Sequence, residues 1–404
     1  MVSIYDMIDR ATGEGEIITF TENVTEAVVV PKGRNVILDL AGFEWTAPEG
    51  ETPLTVEYAT VIVRNGTMKS KGNACIRVGA KDATEASYVS LDAGVKLEVT
   101  GFAGVFILGK GHLDTSADIS VDGEFGCIQG NGSEPYFDNS ATIHAGKLES
   151  PKGVAIYWPQ VGDLRIHGGE VIGQTGVEIR AGTFSMRGGT ITGTAVPTQV
   201  TPNGNGSTSL GAGLAIAQHT TKLPISADVS GGTVQGYTAV YESNPEGNTP
   251  EELAGISVKL RGGEFKAVNG GKVAVYAEDV TGFISGGTYN TAVAPELVAP
   301  GISISKDAQG NTVTTRMVWK YPDSGAVLMG INMKRLIMTC EAMTYPAGGI
   351  SVAGMGISPV AAVANVPGGA QAFVDPETKA IKLYSNGAEL KGDFKDVSII
   401  VFGY

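Results

Sequence analysis

Five glutamates recur at related places in the middle of the chain. Glu178 sits on a short apolar strand, Glu170 and Glu264 follow Gly-Gly pairs, and Glu242 and Glu278 lie just past strands. Glycoside hydrolysis uses two such carboxylates flanking the scissile bond, either close together or separated by room for a water. No Asp-Asp pair, Asn-x-Asp motif, Gly-His-Gly or Arg-x-Lys partner accompanies them. A lyase would need clustered calcium-binding acids beside a basic proton acceptor, and the sequence has no such cluster. On a chain of net charge -13 these glutamates read as solvated surface acids. The histidines His112, His144, His167 and His219 are scattered, and the 144/167 pair makes only half a zinc site. No cofactor or metal is expected. The glycine-rich strings lack the strand-to-helix context of a phosphate-binding loop. Tyr157 and Trp158, with Tyr241 and Tyr276 at equivalent places, form either a sugar-stacking strip or, as we favour, an aromatic ladder inside the core.

These residues ride on a repeat. Gly168-Gly169, Gly188-Gly189, Gly231-Gly232, Gly262-Gly263 and Gly286-Gly287 each stand between two short apolar strands. Another strand precedes each copy: Ala155-Ile156-Tyr157, Val177-Glu178-Ile179, Leu214-Ala215-Ile216, Ala239-Val240-Tyr241 and Ala274-Val275-Tyr276. The shortest separations are 20 residues (168 to 188) and 24 (262 to 286). A strand-turn-strand unit recurring at that length without a helix predicts an all-β solenoid, a right-handed parallel β-helix. Glycine suits a corner that demands φ > 0. The longer separations imply inserted loops, 195–211 and 243–253, projecting from one side.

Composition agrees. Glycine is 57 of 404 residues, while 42% of the chain is hydrophobic, so the glycine serves turns and not disorder. The acidic balance argues against binding nucleic acid through phosphates. Cys75, Cys127 and Cys340 are far apart and odd in number, and read as buried apolar residues. The N-terminal segment lacks a secretory pattern and no run is long enough to cross a membrane, so folding in the cytoplasm and no membrane insertion are expected. Residues 1–46 read as an N-terminal cap and first coil, with helical spacing over Ile4 to Arg10. Residues 47–316 read as the β-helix. From 317 the Gly-Gly grammar stops, and short strands to 404 predict a small β-sandwich-like domain. Its apolar segments, including Leu336, Ile337, Ile399, Val401 and Phe402, are candidate assembly or attachment residues.

The segment Asn35-Val36-Ile37-Leu38-Asp39-Leu40-Ala41-Gly42 after Val-Val-Val-Pro-Lys-Gly resembles the first coil of right-handed parallel β-helices of bacterial surface and phage proteins. The stretch from Ile284-Ser285-Gly286-Gly287-Thr288-Tyr289 to Gly310-Asn311-Thr312 is similar to their last coil. The tail, with Tyr345-Pro346-Ala347-Gly348-Gly349-Ile350 and Asp396 to Tyr404, resembles small all-β domains of phage head-associated proteins. The resemblance implies a virion protein, a capsid decoration or head fibre contacting capsid protein, expected as a homotrimer. A tailspike-like depolymerase or a non-catalytic binder of host surface glycan is the alternative.

Overall fold

The computed structural model describes residues 3–132, 138–197, 206–316, 318–320, 326–328, 331–345, 348–352, 357–366, 369–385, 388–391 and 393–403. The protein is all-β with long parallel sheets. It divides into two compact units, 1–280 and 281–404.

In the first unit each turn of chain supplies up to three strands, and each strand lies parallel on its equivalent in the preceding turn. The first strands form a ten-stranded sheet from Glu16–Thr19 to Ile256–Leu260. The second strands stack from Val24–Thr25 to Glu264–Ala267, and the third from Val28–Val30 to Val275–Ala277. The side-chain period of two puts alternate residues inside. One inward lane of the first sheet runs Val36, Val61, Val89, Leu113, Ala141, Leu164, Phe184, Ala227, Val258, all buried. The repeat seen in the sequence is therefore a true register: Ile156, Val177, Leu214, Val240 and Val275 share one inward lane.

The helix Ile4–Arg10 precedes the first coil. Ser3 Oγ accepts from the Asp6 amide at 3.0 Å, and Ile4 and Ile8 are buried. The cap is this helix alone, because strands from Glu16 onward already belong to the three columns.

Each Gly-Gly pair solves two separate problems. The second glycine has positive φ: 80° at Gly169, 82° at Gly189, 84° at Gly232, 101° at Gly263 and 102° at Gly287. The first does not, but in the first four copies a Cβ there would meet the carbonyl of the coil below. The gap is 2.5 Å from Gly168 to His144 O, 2.6 Å from Gly188 to His167 O and 2.4 Å from Gly231 to Arg187 O. Gly262 meets Ser230 O at 2.6 Å in the same way.

The parallel stacking ends before 316, where the sequence placed it. Thr288–Tyr289 pairs antiparallel with Thr312–Val313, and Ile302–Lys306 with Thr312–Arg316. The last Gly-Gly copy is followed by only two strand residues and then Pro295, whose φ and missing N–H favour the short 3₁₀ turn found there. Further on in the second unit, Val318–Lys320, Ile331–Thr344, Asp393–Gly403 and Pro359–Asn365 form an antiparallel sheet in that order. A second sheet holds Gln371–Val374, Ile381–Ser385 and Ala388–Glu389. Met338, Ile350, Ile381, Leu383, Val397, Ile399 and Val401 share one core.

Strand parity divides the candidate assembly residues. Ile399 and Val401 are fully buried core and are corrected as contact candidates. Ile337 and Phe402 have the opposite parity and are half-buried. The side chains of Leu336 and Cys340 lie outside the described residues.

Glycine substitutions test the corner. Gly168→Ala and Gly189→Ala are expected to cost about 1–3 kcal/mol each, through displaced backbone and strained φ respectively. Gly13→Ala, whose Cβ would meet only Glu16 Oε2 at 3.8 Å, is expected to be neutral within about 0.5 kcal/mol. Thermal melting of the three variants distinguishes the cases.

Candidate functional site

The third strand column carries one outward lane through Arg77, Phe106, Gln129, Tyr157, Glu178, Ala215, Tyr241 and Tyr276. Three of the four aromatic candidates of the sequence, Tyr157, Tyr241 and Tyr276, are thus on the outside of the stack, not inside it. Ile156 takes the inward position and turns Tyr157 out. Trp158 has inward parity and is fully buried. Tyr241 and Tyr276 do stack, with centroids 5.3 Å apart and rings 18° from parallel. Tyr276 is 44% exposed. Glu178 and Ala215 separate this pair from Tyr157, so the four aromatics do not form one strip.

The middle of the lane lies beneath the described ends of the inserts. Glu178 is fully buried, yet both of its oxygens are satisfied. Oε1 accepts from the Thr208 amide and hydroxyl, both at 2.9 Å. Oε2 accepts from Ser207 Oγ at 2.5 Å and Ser209 Oγ at 2.8 Å. Arg180, two residues on and of the same parity, is 1% exposed. Its Nε lies 3.9 Å from Glu178 Oε1 and donates to Ala217 O at 3.1 Å. Its two terminal nitrogens reach Gly206 O and the Glu246 carboxylate. Tyr157 donates its hydroxyl to Gly206 O at 3.1 Å. Burial pushes the Tyr157 hydroxyl up to about 12.

The second insert closes the same region. Asn248 Nδ2 donates to Gln218 Oε1 at 2.9 Å, and Asn244 and Asn248 hold each other across their turn. The short helix Pro250–Leu253 follows, with a capping box between Thr249 and Glu252. A buried ion that keeps all its hydrogen bonds can be accommodated; one that loses them costs several kcal/mol. Glu178 is therefore an anchor for an insert, held away from solvent and from any attacking water.

The other acids are likewise placed. Glu242 is buried and its Oε2 accepts from the Glu278 and Asp279 amides at 2.9 Å, while burial raises its pKa. Glu170 is exposed, as is Glu264, which pairs with Lys266 at 2.6 Å. His144 and His167 sit on consecutive coils with centroids 5.5 Å apart, and His144 Nε2 is 3.4 Å from Asp114. Among the described residues no group of three or more His, Cys, Asp or Glu is placed to hold a metal ion. Cys75 and Cys127 are buried free thiols, and burial pushes both pKa values up.

Sequence reading missed Arg180, Ser207, Thr208, Ser209 and Glu246. The only local signal was Arg180 two residues past Glu178, which gives the pair one face of a strand. Comparison with protein-family models, curated sequences and solved structures gives no match for this chain.

Glu178→Ala would take the carboxylate away from the Thr208 amide and the Ser207, Thr208 and Ser209 hydroxyls, and would remove one of the two carboxylates beside the buried Arg180 guanidinium. The expected cost is about 3–5 kcal/mol, together with faster protease cleavage within 195–211. Limited proteolysis beside a melting curve measures both.

Histidine adds a pH dependence. The pKa values of His112, His167 and His219 are lowered, first by desolvation in each case, with Arg180 adding to the effect at His219. The unfolded chain therefore binds more protons than the folded one below about pH 6.5, the ordinary histidine value. Stability is expected to be full above that pH and to fall as pH drops through the folded values. Melting curves between pH 7.5 and 5 check this, and His219→Gln should flatten the slope.

Proposed function

We propose that this chain is a structural protein of a phage particle. In this reading residues 16–280 form a right-handed parallel β-helix that projects from the capsid as a decoration or head fibre. The second unit contains a small β-sandwich-like domain that mediates trimer formation and attachment to capsid protein. The protein acts by rigid projection, and many copies on one particle turn weak contacts into tight decoration.

The observation that carries the reading is the outward face of the antiparallel sheet in the second unit. Ile337, Ile400 and Val363 lie opposite one another across three strands. Phe402 and Ala361 make the next row, which Arg335 ends on the third strand. Val363 is 59% exposed and Val360 is 50% exposed. The edge strand Pro359–Asn365 contains no charged residue. Soluble proteins protect an edge with charge, bulges or a covering element; here only the start of the edge strand is so guarded, by Pro359 and a register shift before Ala361, and a contiguous apolar face on a monomer marks an interaction site. The first unit supports the projecting role. Ten stacked strands at about 4.8 Å give a rod on the order of 45 Å long, and its largest inserts are fastened to it by buried hydrogen bonds.

The test is assembly. Wild-type protein is expected to have a trimeric mass in light scattering and to bind particles that lack it. Val363→Glu and Phe402→Glu should give monomers that no longer bind, with melting shifted by only a few degrees. Val401→Glu, at a buried position on the other side of the same strand, should instead unfold the second unit. A monomeric wild type, or glutamate variants that still assemble and bind, would sink the proposal.

A further inference from the structure

A cleft of about 690 Å³ opens on the side of the first unit, remote in sequence from the inserts. Its floor is a column of glycines at one corner of successive coils: Gly72, Gly101 and Gly123. The column is bare of necessity. A Cβ on Gly101 would meet Gly72 Cα at 3.0 Å, and one on Gly123 would meet Gly101 O at 2.0 Å. The wall is aromatic. Phe102 is 5.1 Å from Phe106 in edge geometry and 4.7 Å from Phe125 at a tilt of 58°. All three rings are only partly buried.

Arg77 occupies the outward lane one coil below Phe106 and places its guanidinium 6.0 Å from that ring. Its Nε is buried and has no acceptor, and among the described residues Arg77 has no carboxylate partner. The unpaired guanidinium thus lies beside three partly exposed rings. Asn73 also lines the cleft, but its side chain is engaged with Gly50 O and the Ala74 amide. Glu124 also lines the cleft and is exposed to solvent.

We infer that this cleft is a binding site for a saccharide unit bearing a carboxylate, its apolar face against the phenylalanine rings and its carboxylate on Arg77. The ring quadrupoles attract the weakly positive C–H face of a pyranose as they attract other positive edges, and an arginine fork matches a carboxylate. A peptide fits less well. Neighbouring coils already pair the backbone of the adjoining strands, so no sheet edge is offered to it. Its amide groups would face phenyl rings without partners, which is costly. A saccharide keeps its hydroxyls at the open rim. The inference does not depend on the virion reading, and the site is distinct from the Tyr241–Tyr276 pair.

The experiment is isothermal titration of the full-length protein with a glucuronate-containing tetrasaccharide and with a neutral glucose tetrasaccharide of equal length. The acidic sugar is expected to bind at least fivefold more tightly. Arg77→Gln should weaken it about tenfold and abolish the preference, and Phe106→Ala should weaken both sugars. Tyr276→Ala should change neither. Melting curves establish that each variant is folded; if Phe106→Ala is not, Phe106→Leu keeps the fold while removing the ring. Absence of binding by wild type, equal binding of the two sugars, or binding unchanged by Arg77→Gln and by loss of the Phe106 ring would overturn the inference.

Discussion

The close approach of one coil to the next at its corners is the constraint on which this protein rests. Parallel strands stack at about 4.8 Å, and the chain must turn between columns without exceeding that spacing. At Gly168, Gly188, Gly231 and Gly262 the carbonyl of the coil below sits where a side chain would begin. At the residue after each, the backbone turns with positive φ. The two demands fall on adjacent residues, and a glycine pair meets both. Once the corners hold the spacing, the inward lanes bring like residues over like residues and the core fills as continuous apolar columns. Hydrogen bonds between successive coils within each column follow from the same spacing.

Polar burial is the second theme. A carboxylate with no exposure is expensive unless its lone pairs are filled. Glu178 has four donors from three consecutive residues, Ser207, Thr208 and Ser209, and a guanidinium nearby. Such an arrangement contributes specificity as well as stability, because only one placement of the insert satisfies it. Gly206 shows how tight the fit is. It has φ of 88°, and a Cβ there would lie 2.6 Å from Tyr157 Oη. A glycine in a polar insert is therefore as constrained as one at a corner.

Much of the first unit was legible in the sequence because its grammar is periodic. The equivalence of Ile156, Val177, Leu214, Val240 and Val275 is written in the spacing of the strands before each Gly-Gly pair, and the register repeats it. The helix Ile4–Arg10 was legible from apolar spacing. Which way each aromatic points was not, because Tyr157 and Trp158 are adjacent and parity alone separates them. The end of parallel pairing was also hidden, since Gly286-Gly287 copies the corner without the strand length that follows the others. Coils without Gly-Gly marks concealed the Phe102, Phe106 and Phe125 cluster, because Phe125 reaches the other two from the next coil. The Glu178 anchor was invisible for a similar reason: its donors arrive from about thirty residues away along the chain.

The reach of Arg180 to Glu246 has a consequence for how this chain can change over generations. Repeating coils invite modular growth, because adding or deleting one alters length without disturbing the others. Arg180 follows the strand Glu170–Ile179 and Glu246 follows Thr238–Glu242, with Ala212–Ile216 stacked between. The pair therefore clasps two coil steps, and Asn248 with Gln218 clasps one of them again. A coil gained or lost inside the clasp would strand a buried guanidinium. Duplication should be tolerated towards the N-terminal end of the stack and resisted here, so that the chain carries an elastic region and a region of fixed count.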